Sequence, residues 1–288
     1  MKHTLLIGSF EKVNNQCGEV MISKEYIYEE NDILSVQGML PYLEKKEIPD
    51  KIIIHASLES TNKTAKEMAI QGAEHGTVVI ADYQRAGMGR YSRSFFSPSK
   101  HGIYMSFLLH LPLWVEIPTI ITSYAAVSVC EAIEMTLGKK PQIKWVNDVY
   151  LNGKKICGIL TEASSSNIQW IVVGIGINFT TPSMGYPEEI KDIAGSIFSE
   201  SRPTITRNQL IAEIANRILC FEQSYGSKVI LAEYKKRLMG VGKKVSVAGS
   251  CESFEATIVD IDETGHLIVQ KGDNEIISLS AGEISIRI

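Results

Sequence analysis

The chain has 288 residues, of which 44% are hydrophobic and 22% are charged, and it carries a formal net charge of −4. This length allows one large domain or two unequal ones, the composition is typical of a globular protein, and the acidic balance argues against a general nucleic-acid binder. The longest apolar runs are far short of a membrane span, and the N-terminus lacks the apolar region of a signal peptide. The five cysteines form no Cys-x-x-Cys pair, which disfavours a disulfide framework or a zinc site and favours a reducing compartment such as the cytoplasm.

Hydrophobic patterning predicts strands and helices that alternate irregularly, which favours an α+β sheet domain over a regular α/β fold. In chain order, the predicted elements are a broken helix over 34–44, a strand over 51–57, a helix that begins at Ser60-Thr61, strands over 77–81 and 102–110, a helix over 118–137, strands over 142–146, 149–151, 155–161 and 168–178, and helices over 207–222 and 228–238. Asn152-Gly153 predicts the turn of a hairpin.

The composition changes at Gly240, after which five short strands are predicted with turns between them. These strands are predicted over 244–248, 254–260, 266–270, 275–279 and 283–288. We therefore divide the chain into an N-terminal segment (1–50), a larger sheet domain (51–239) and a small all-β domain (240–288).

A glycine–arginine loop (residues 82–93) follows the strand over 77–81 and contains Gly87, Gly89 and three arginines. Two glycines one residue apart let the backbone approach a ligand closely, and backbone N–H groups beside guanidinium groups suit a phosphate or a carboxylate. A surface turn with solvated arginines would show the same pattern. We interpret the loop as a candidate anion site at the end of a strand.

Four further segments place polar side chains or glycines beside predicted strands and helix starts. They are Ser60-Thr61-Asn62, Lys144-Trp145-Val146-Asn147-Asp148, residues 154–162, and Gly174-Ile175-Gly176-Ile177-Asn178. Helix capping, an ordinary turn and a solvated lysine would explain the first three one by one. Strand alternation in the third segment puts Lys155, Cys157 and Ile159 on one face, and the alternate glycines of the fourth leave space for a flat ligand or a neighbouring backbone.

In this order, Ser-Thr-Asn, Gly-x-Gly-Arg-x-x-Arg, Lys-Trp-x-Asn-Asp, Lys-x-x-Gly-Ile-Leu-x-Glu and Gly-Ile-Gly-Ile-Asn resemble the motifs of biotin–protein ligases. The resemblance begins near Ile52 and continues to Ala281-Gly282-Glu283-Ile284-Ser285, which is similar to the C-terminal domain of that family. It implies a class II synthetase-like catalytic domain, with a mixed β-sheet flanked by helices, and a small all-β barrel-like C-terminal domain.

The resemblance also implies a two-step reaction. The biotin carboxylate attacks the α-phosphate of Mg-ATP to give biotinyl-5′-AMP and pyrophosphate, and a lysine of a biotin carboxyl carrier protein then attacks the mixed anhydride. The implied ligands are therefore biotin, ATP and Mg²⁺, and the implied partner is the carrier domain of a carboxylase. We expect no membrane partner, and the resemblance allows a sheet-to-sheet homodimer.

The motif positions imply roles for individual residues. Catalysis is assigned to Arg90, Lys155 and Asp148, and Asp148 is also the candidate ligand of Mg²⁺. Biotin contacts are assigned to Ser60, Thr61, Asn62, Gln84, Gly87, Gly89, Arg90, Lys155 and Gly158. Nucleotide contacts are assigned to Arg90, Arg93, Trp145, Asn147 and Asn178.

The loop departs from the usual family pattern, Gly-Arg-Gly-Arg-x-Gly-Arg, at two positions. Met88 replaces the first arginine and removes a cation, so we expect weaker retention of the adenylate. Ser92 replaces the third glycine and restricts the backbone. Arg90 is present, and we therefore still expect activity.

The N-terminal segment departs further from family members that also act as repressors. Residues 26–35 are similar to the end of a wing and its linker, but residues 1–25 contain three lysines, no arginine and no clear pair of amphipathic helices. We interpret residues 1–50 as a truncated remnant of a DNA-binding region and expect no DNA repression.

Two other functions stay open at this point. A lipoate–protein ligase shares the fold and the adenylation chemistry, but lipoate needs an apolar slot instead of hydrogen bonds to a ureido ring. Gln84 and the Lys-Trp-x-Asn-Asp segment favour biotin. A biotin-sensing DNA-binding regulator with little catalysis would not need Arg90 or Lys155, and the short, non-basic N-terminal segment counts against it.

Overall fold

The computed structural model describes residues 10–15, 18–23, 32–110, 118–163, 170–220, 227–248, 253–272, 274–280 and 283–286 of the chain. The first described element is a hairpin of β1 (Phe10–Asn15) and β2 (Gly18–Ser23), which pair antiparallel. This hairpin was not predicted from the sequence. Residues 26–31, which are similar to the end of a wing, lie outside the described residues.

A mixed sheet forms the centre of the larger domain. Its strands are β3 (Ile52–Leu58), β4 (Val78–Gln84), β5 (Gly102–His110), β6 (Gln142–Lys144), β7 (Asp148–Leu151), β8 (Lys154–Ala163) and β9 (Trp170–Asn178). The order across the sheet is β3-β4-β5-β9-β8-β7-β6, in which β3 and β4 are parallel and the other neighbours are antiparallel. The predicted α+β class with a mixed sheet is confirmed.

The α-helices of the described residues flank this sheet. They are α1 (Val36–Met39), α2 (Thr61–Ile70), α3 (Pro118–Leu137), α4 (Arg207–Ile218) and α5 (Ser227–Arg237). The broken helix predicted over 34–44 is α1 followed by a short 3₁₀ turn at Leu40–Tyr42. Thr206 caps α4, because its hydroxyl accepts a hydrogen bond from the Gln209 N–H.

Helices cover both faces of the sheet. Val79 of β4 packs in a small cluster with Ala65 and Ala69 of α2, whereas Ile80 belongs to the main core, into which α3, α4 and α5 bury apolar residues. Neighbouring strand residues point to opposite faces, so β4 is apolar on both. Thr119–Leu137 of α3 is long and apolar enough to cross a membrane by length and composition, but 67% of this stretch is buried, as expected for a helix that covers a sheet.

The C-terminal part of the chain forms a second, antiparallel sheet. Its strands are β10 (Lys244–Ala248), β11 (Ser253–Ile261), β12 (Leu267–Gln270), β13 (Ile276–Leu279) and β14 (Glu283–Ile286), in the order β13-β12-β11-β10-β14. The five strands agree with the predicted small all-β domain. The boundaries placed at residues 50 and 239 stay predictions.

Two asparagines of α4 hold the segment that leads into the larger domain. Asn208 accepts a hydrogen bond from the Ser35 N–H (3.1 Å) and donates one to the Ile33 carbonyl (2.8 Å). Asn216, two turns later, makes the equivalent pair of bonds to the backbone at residues 42 and 44. Buried backbone groups must be paired, so these asparagines fix the path of an otherwise irregular segment along α4.

Candidate active site

The five polar and glycine-containing segments meet at one cavity of about 340 Å³ on the larger sheet. Its lining includes Ser60, Thr61, Asn62, Gln84, Gly89, Arg90, Arg93, Trp145, Asn147, Asp148, Lys155, Gly158 and Asn178. The volume lies within the range of small-molecule pockets. The structure thus brings together all but one of the residues that the sequence analysis assigned to the site.

The exception is Gly87, which does not line the cavity. A Cβ atom at this position would lie 2.6 Å from both the Phe95 carbonyl oxygen and the Ser97 hydroxyl. The close approach that requires a glycine is therefore to the chain itself, whereas the sequence analysis assigned Gly87 to a ligand contact. The Gly87 carbonyl accepts a hydrogen bond from the Phe95 N–H (2.8 Å), which closes the loop.

One end of the cavity is a corner of buried neutral polar groups at the start of α2. The Gln84 side-chain oxygen accepts hydrogen bonds from the N–H (2.8 Å) and the hydroxyl (3.2 Å) of Thr61. The Gln84 amide nitrogen donates to the Ser97 hydroxyl (3.0 Å), which orients the amide. Ser60 is the N-cap residue of α2, but its hydroxyl makes no capping hydrogen bond. We call Ser60, Thr61 and Gln84 the amide–hydroxyl corner.

Asn62 lies beside this corner, and both the nitrogen and the oxygen of its side-chain amide form hydrogen bonds with the protein. Its amide nitrogen donates to the Leu160 carbonyl (3.2 Å) and the Glu162 carboxylate (2.8 Å), and its oxygen accepts from the Ser106 hydroxyl (2.6 Å). A Cβ atom at Gly174 would lie 2.0 Å from that oxygen, so glycine is required there. The contacts give Asn62 a role in holding α2 against β8 and β9, and its assignment to biotin stays a prediction.

Phe95, which the sequence analysis did not assign, covers the floor of the cavity. Gly158 and Gly176 are paired across β8 and β9, and a Cβ atom on either would lie within 3.3 Å and 2.6 Å of the Phe95 ring, respectively. The alternate glycines predicted a neighbouring flat ligand or backbone, but their neighbours in the structure are the side chains of Phe95 and Asn62. The available signal was the pair of aromatic residues at 95 and 96, directly after the loop.

The other end of the cavity is cationic. The Lys155 ammonium lies 2.6 Å from a carboxylate oxygen of Asp148, and both side chains are partly buried. Arg90 donates to the side-chain oxygen of Asn147 (3.3 Å) and to the Tyr91 hydroxyl (3.0 Å), and its guanidinium lies over the Tyr91 ring. Arg93 and Lys144 also line the cavity. Four cations face one carboxylate among the described residues, so this end suits an anionic ligand.

A β-bulge decides which neighbours Lys155 has. The pairing of β7 with β8 shifts register between Val149 and Tyr150, and the Lys155 ammonium lies on the same side as Gly158, within 3.5 Å of a Cβ atom built there. The prediction that Lys155 and Cys157 share one face is therefore wrong, because an extra residue in one strand reverses the alternation. Cys157 is fully buried in the core instead, where burial raises the pKa of its thiol.

Three of the five residues assigned to nucleotide contacts also make hydrogen bonds to the protein. The Trp145 indole N–H donates to the carbonyl of Gly265 (3.0 Å), in the turn between β11 and β12. Asn147 donates to the Ile159 carbonyl (2.7 Å), and Asn178 donates to the Gly195 carbonyl (2.9 Å). A turn in the C-terminal part of the chain therefore contacts a residue of the cavity wall directly.

The described residues do not form a metal centre of their own. They contain no group of three or more metal-ligating side chains, and Asp148 is their only carboxylate that lines the cavity. Mg²⁺ is commonly held by one or two carboxylates together with substrate phosphates. A single carboxylate that already pairs with Lys155 fits a metal ion that arrives with the triphosphate as part of the substrate, and it does not fit a resident metal site.

Comparison with known proteins agrees with this site. Residues 54–178 match the model of the biotin/lipoate A/B protein ligase family, and residues 240–287 match that of the biotin protein ligase C terminal domain. A bifunctional ligase/repressor BirA from Bacillus spizizenii is 36% identical over 245 residues, which cover 81% of this chain and 74% of the relative. The chain belongs to the biotin–protein ligase family.

Two further comparisons extend over more of each relative. A biotin–[acetyl-CoA-carboxylase] ligase from Mycobacterium tuberculosis is 26% identical over 267 residues, which cover 85% of this chain and 96% of the relative. The solved structure of a biotin protein ligase from Aquifex aeolicus in complex with biotin and ATP has a TM-score of 0.70 and 29% identity, and the match covers 82% of this chain and 98% of that one. The family that matches residues 54–178 includes both biotin and lipoate ligases, whereas the family that matches the C-terminal residues is described for biotin protein ligases alone.

In the loop of this biotin–protein ligase, the two residues that depart from the usual family pattern, Met88 and Ser92, differ in their structural surroundings. Met88 is half-exposed, and its backbone forms an isolated β-bridge with Ser94. Ser92 has a φ of +57° and its neighbour Tyr91 a φ of +55°. These are left-handed values, which cost residues other than glycine about 1 kcal/mol each. The backbone therefore takes the conformation that a glycine favours although serine occupies the position.

Proposed function

We propose that the cavity holds biotin and Mg-ATP together, forms biotinyl-5′-AMP, and then passes the biotinyl group to a lysine of a biotin carboxyl carrier protein. The observation that carries this proposal is the division of one cavity into a neutral amide–hydroxyl corner and a cationic end. A ureido ring is neutral and hydrogen-bonding, whereas a carboxylate and a triphosphate are anionic. The two ends therefore match the two ends of the acyl-adenylate.

The amide–hydroxyl corner is suited to the ureido ring of biotin. Because Gln84 is fixed by Thr61 and Ser97, the corner offers oriented donors and acceptors without reorganisation. Ser60, whose hydroxyl makes no capping bond, adds a further polar group. A dithiolane ring would remove water from this polar corner without offering hydrogen bonds in return, which is costly, so the corner favours biotin over lipoate.

The cationic end is suited to the reaction itself. Attack of a carboxylate on the α-phosphate brings two anions together, and Arg90 and Lys155 would offset their repulsion and stabilise the charge that builds up on the phosphorus centre. The bond from the carboxylate oxygen to phosphorus forms as the bond to the leaving pyrophosphate breaks. Asp148, the ion-pair partner of Lys155, would orient the lysine and contact the Mg²⁺ that accompanies the phosphates.

In the second step, the amine of the carrier lysine attacks the acyl carbon and releases AMP. The mixed anhydride is sensitive to water, and the loop with Phe95 would keep water out until the carrier docks. Phe95 already covers Gly158 and Gly176, so its ring would form part of this barrier.

Transfer of biotin to an acceptor tests the proposal directly. The full chain is incubated with biotin, Mg-ATP and a biotin carboxyl carrier domain, and the carrier is weighed by mass spectrometry. We expect the mass of one biotinyl group on the carrier, and none on a carrier whose acceptor lysine is replaced by arginine. An unmodified carrier under conditions in which biotinyl-5′-AMP accumulates would restrict the proposal to the first step.

The cellular compartment, the oligomeric state and the absence of DNA repression are also proposals. The unpaired cysteines at 130, 157 and 220 are compatible with a reducing compartment, and we place the enzyme in the cytoplasm. A sheet-to-sheet homodimer stays a prediction that sedimentation of the purified chain tests.

The Bacillus spizizenii relative is named a ligase/repressor. We keep the expectation of no DNA repression as a prediction, and a salt-sensitive mobility shift of duplex DNA by the full chain would overturn it.

A further inference from the structure

Arg207 is a buried cation that lies outside the cavity. It is the first residue of α4, its side chain is 2% exposed, and it is the largest fully buried side chain of the described residues. A guanidinium is rarely buried unless it is fully paired, since its desolvation costs several kcal/mol. Its partners therefore show what the fold uses it for.

On one side, Arg207 joins the two strands from which the glycine–arginine loop emerges. One guanidinium nitrogen donates to the carboxylate of Asp82 in β4 (2.6 Å) and to the carbonyl of Gly102, the first residue of β5 (3.1 Å). Asp82 also accepts hydrogen bonds from the Ser99 hydroxyl and from the Lys100 N–H. We call Arg207, Asp82 and Ser99 the loop clasp, because they tie both ends of the β4–β5 connection (residues 85–101) together.

On the other side, Arg207 holds the segment that enters the larger domain. Its Nε donates to the Asp32 carboxylate (2.8 Å), its remaining guanidinium nitrogen donates to the Asp32 carbonyl (2.9 Å), and its backbone N–H donates to the same carboxylate (2.9 Å). Every nitrogen of the side chain is thus used. Burial alone would raise the pKa of Asp82, but hydrogen bonds from Ser99 and Arg207 lower it below its ordinary value, so Asp82 stays ionised near neutral pH.

The β4–β5 connection carries the parts of the active site that have no regular structure to hold them. Arg90 reaches Asn147 from this connection, and Phe95 reaches Gly158 and Gly176. A misplacement of about 1 Å in such groups can cost a factor of about 100 in rate. The position of the connection therefore depends on how firmly its base is held.

We propose that Arg207 is a positioning residue for the reaction: through Asp82 and Ser99 it fixes the base of the β4–β5 connection and so keeps Arg90 and Phe95 in place against the bound adenylate. This inference rests on the proposed function of the loop. Arg207 would thus help to retain the intermediate although it touches neither substrate. It would do so through the hydrogen bonds of the loop clasp, which lie outside the cavity.

The release of preformed biotinyl-5′-AMP from the enzyme tests the inference. The variants are Arg207→Lys, Asp82→Asn and the mild change Ser99→Ala, which alters an exposed side chain and leaves the fold intact. Arg217→Lys is the matched control, because Arg217 lies on the same helix and pairs with Glu213 and Glu131 but not with the β4–β5 connection. Arg90→Ala serves as the reference for loss of a loop contact, and circular dichroism establishes that each variant is folded.

We expect release about ten times faster in Arg207→Lys and Asp82→Asn and a few times faster in Ser99→Ala, with an unchanged rate in Arg217→Lys. Arg217→Lys also weakens ion pairs of α4, so a general loss of stability would speed release in this variant as well. Faster release in the clasp variants alone therefore indicates positioning. If Arg90→Ala releases the adenylate faster but the folded clasp variants behave like the wild type, the inference about Arg207 is wrong and the proposed function stands. If Arg90→Ala also leaves release unchanged, the proposed role of the loop is wrong, and the inference falls with it.

Discussion

Replacement of Lys155 by alanine should nearly abolish adenylate formation. The ammonium is partly buried at the cationic end of the cavity, 2.6 Å from the Asp148 carboxylate. A pair of unit charges about 4 Å apart contributes about 4 kcal/mol at an effective dielectric constant near 20, which corresponds to a factor of about 10³ in rate. The alanine variant also leaves Asp148 unpaired beside the phosphates, and this repulsion adds to the loss.

The assay is biotin-dependent exchange of pyrophosphate into ATP, with Lys154→Ala as the matched control. Lys154 is exposed and donates to the Asp192 carbonyl (2.6 Å), so its loss should leave the rate near that of the wild type. An exchange rate in Lys155→Ala within a factor of about three of the wild type would refute the electrostatic argument.

Met88→Arg should slow the release of biotinyl-5′-AMP several-fold, since it restores a loop cation; an unchanged rate would show that charge at this position is unimportant. Arg90→Ala should reduce pyrophosphate exchange by orders of magnitude, and wild-type exchange would remove Arg90 from the site. Gly176→Ala should destabilise the fold by about 1–3 kcal/mol in urea unfolding, because its Cβ atom meets the Phe95 ring, whereas Gly272→Ala, which meets nothing, should not. Burial would raise the pKa of Asp262, but hydrogen bonds from neighbouring hydroxyl and N–H groups lower it from 3.8 to about 2, so its stabilisation is present above pH 3.8 and is lost as the pH falls through about 2. Asp262→Asn should therefore flatten the loss of unfolding free energy over this acidic range, and an unchanged pH profile would contradict that reading.

The elements with strong periodicity or strong end signals could be predicted from the sequence. The strand Gly102–His110 and the helix Pro118–Leu137 have the predicted bounds, and Asn152-Gly153 forms the predicted hairpin turn with positive φ at both residues. The hairpin of β1 and β2 could not be predicted, because its sequence shows no clear alternation of apolar and polar residues. Local patterns reveal an element only where one of its faces is buried in a regular way.

The contents of the site were easier to predict than its geometry. Ordered motifs identified the residues that line the cavity, but the contacts of Gly87, Gly174 and Gly176 depend on which side chain folds back over them. The neighbours of Lys155 depend on a β-bulge, which leaves no mark in the spacing of residues. The role of Arg207 was equally hidden, since both of its carboxylate partners are more than 100 positions away in the chain.

Pyrophosphate exchange with a single added acid shows whether this cavity activates biotin as an adenylate. The full chain is assayed with Mg-ATP and labelled pyrophosphate, with either biotin or lipoate present. We expect exchange with biotin and none with lipoate, because the amide–hydroxyl corner suits a ureido ring and not a dithiolane. Exchange with lipoate alone, or tight binding of biotin without any exchange, would contradict this expectation.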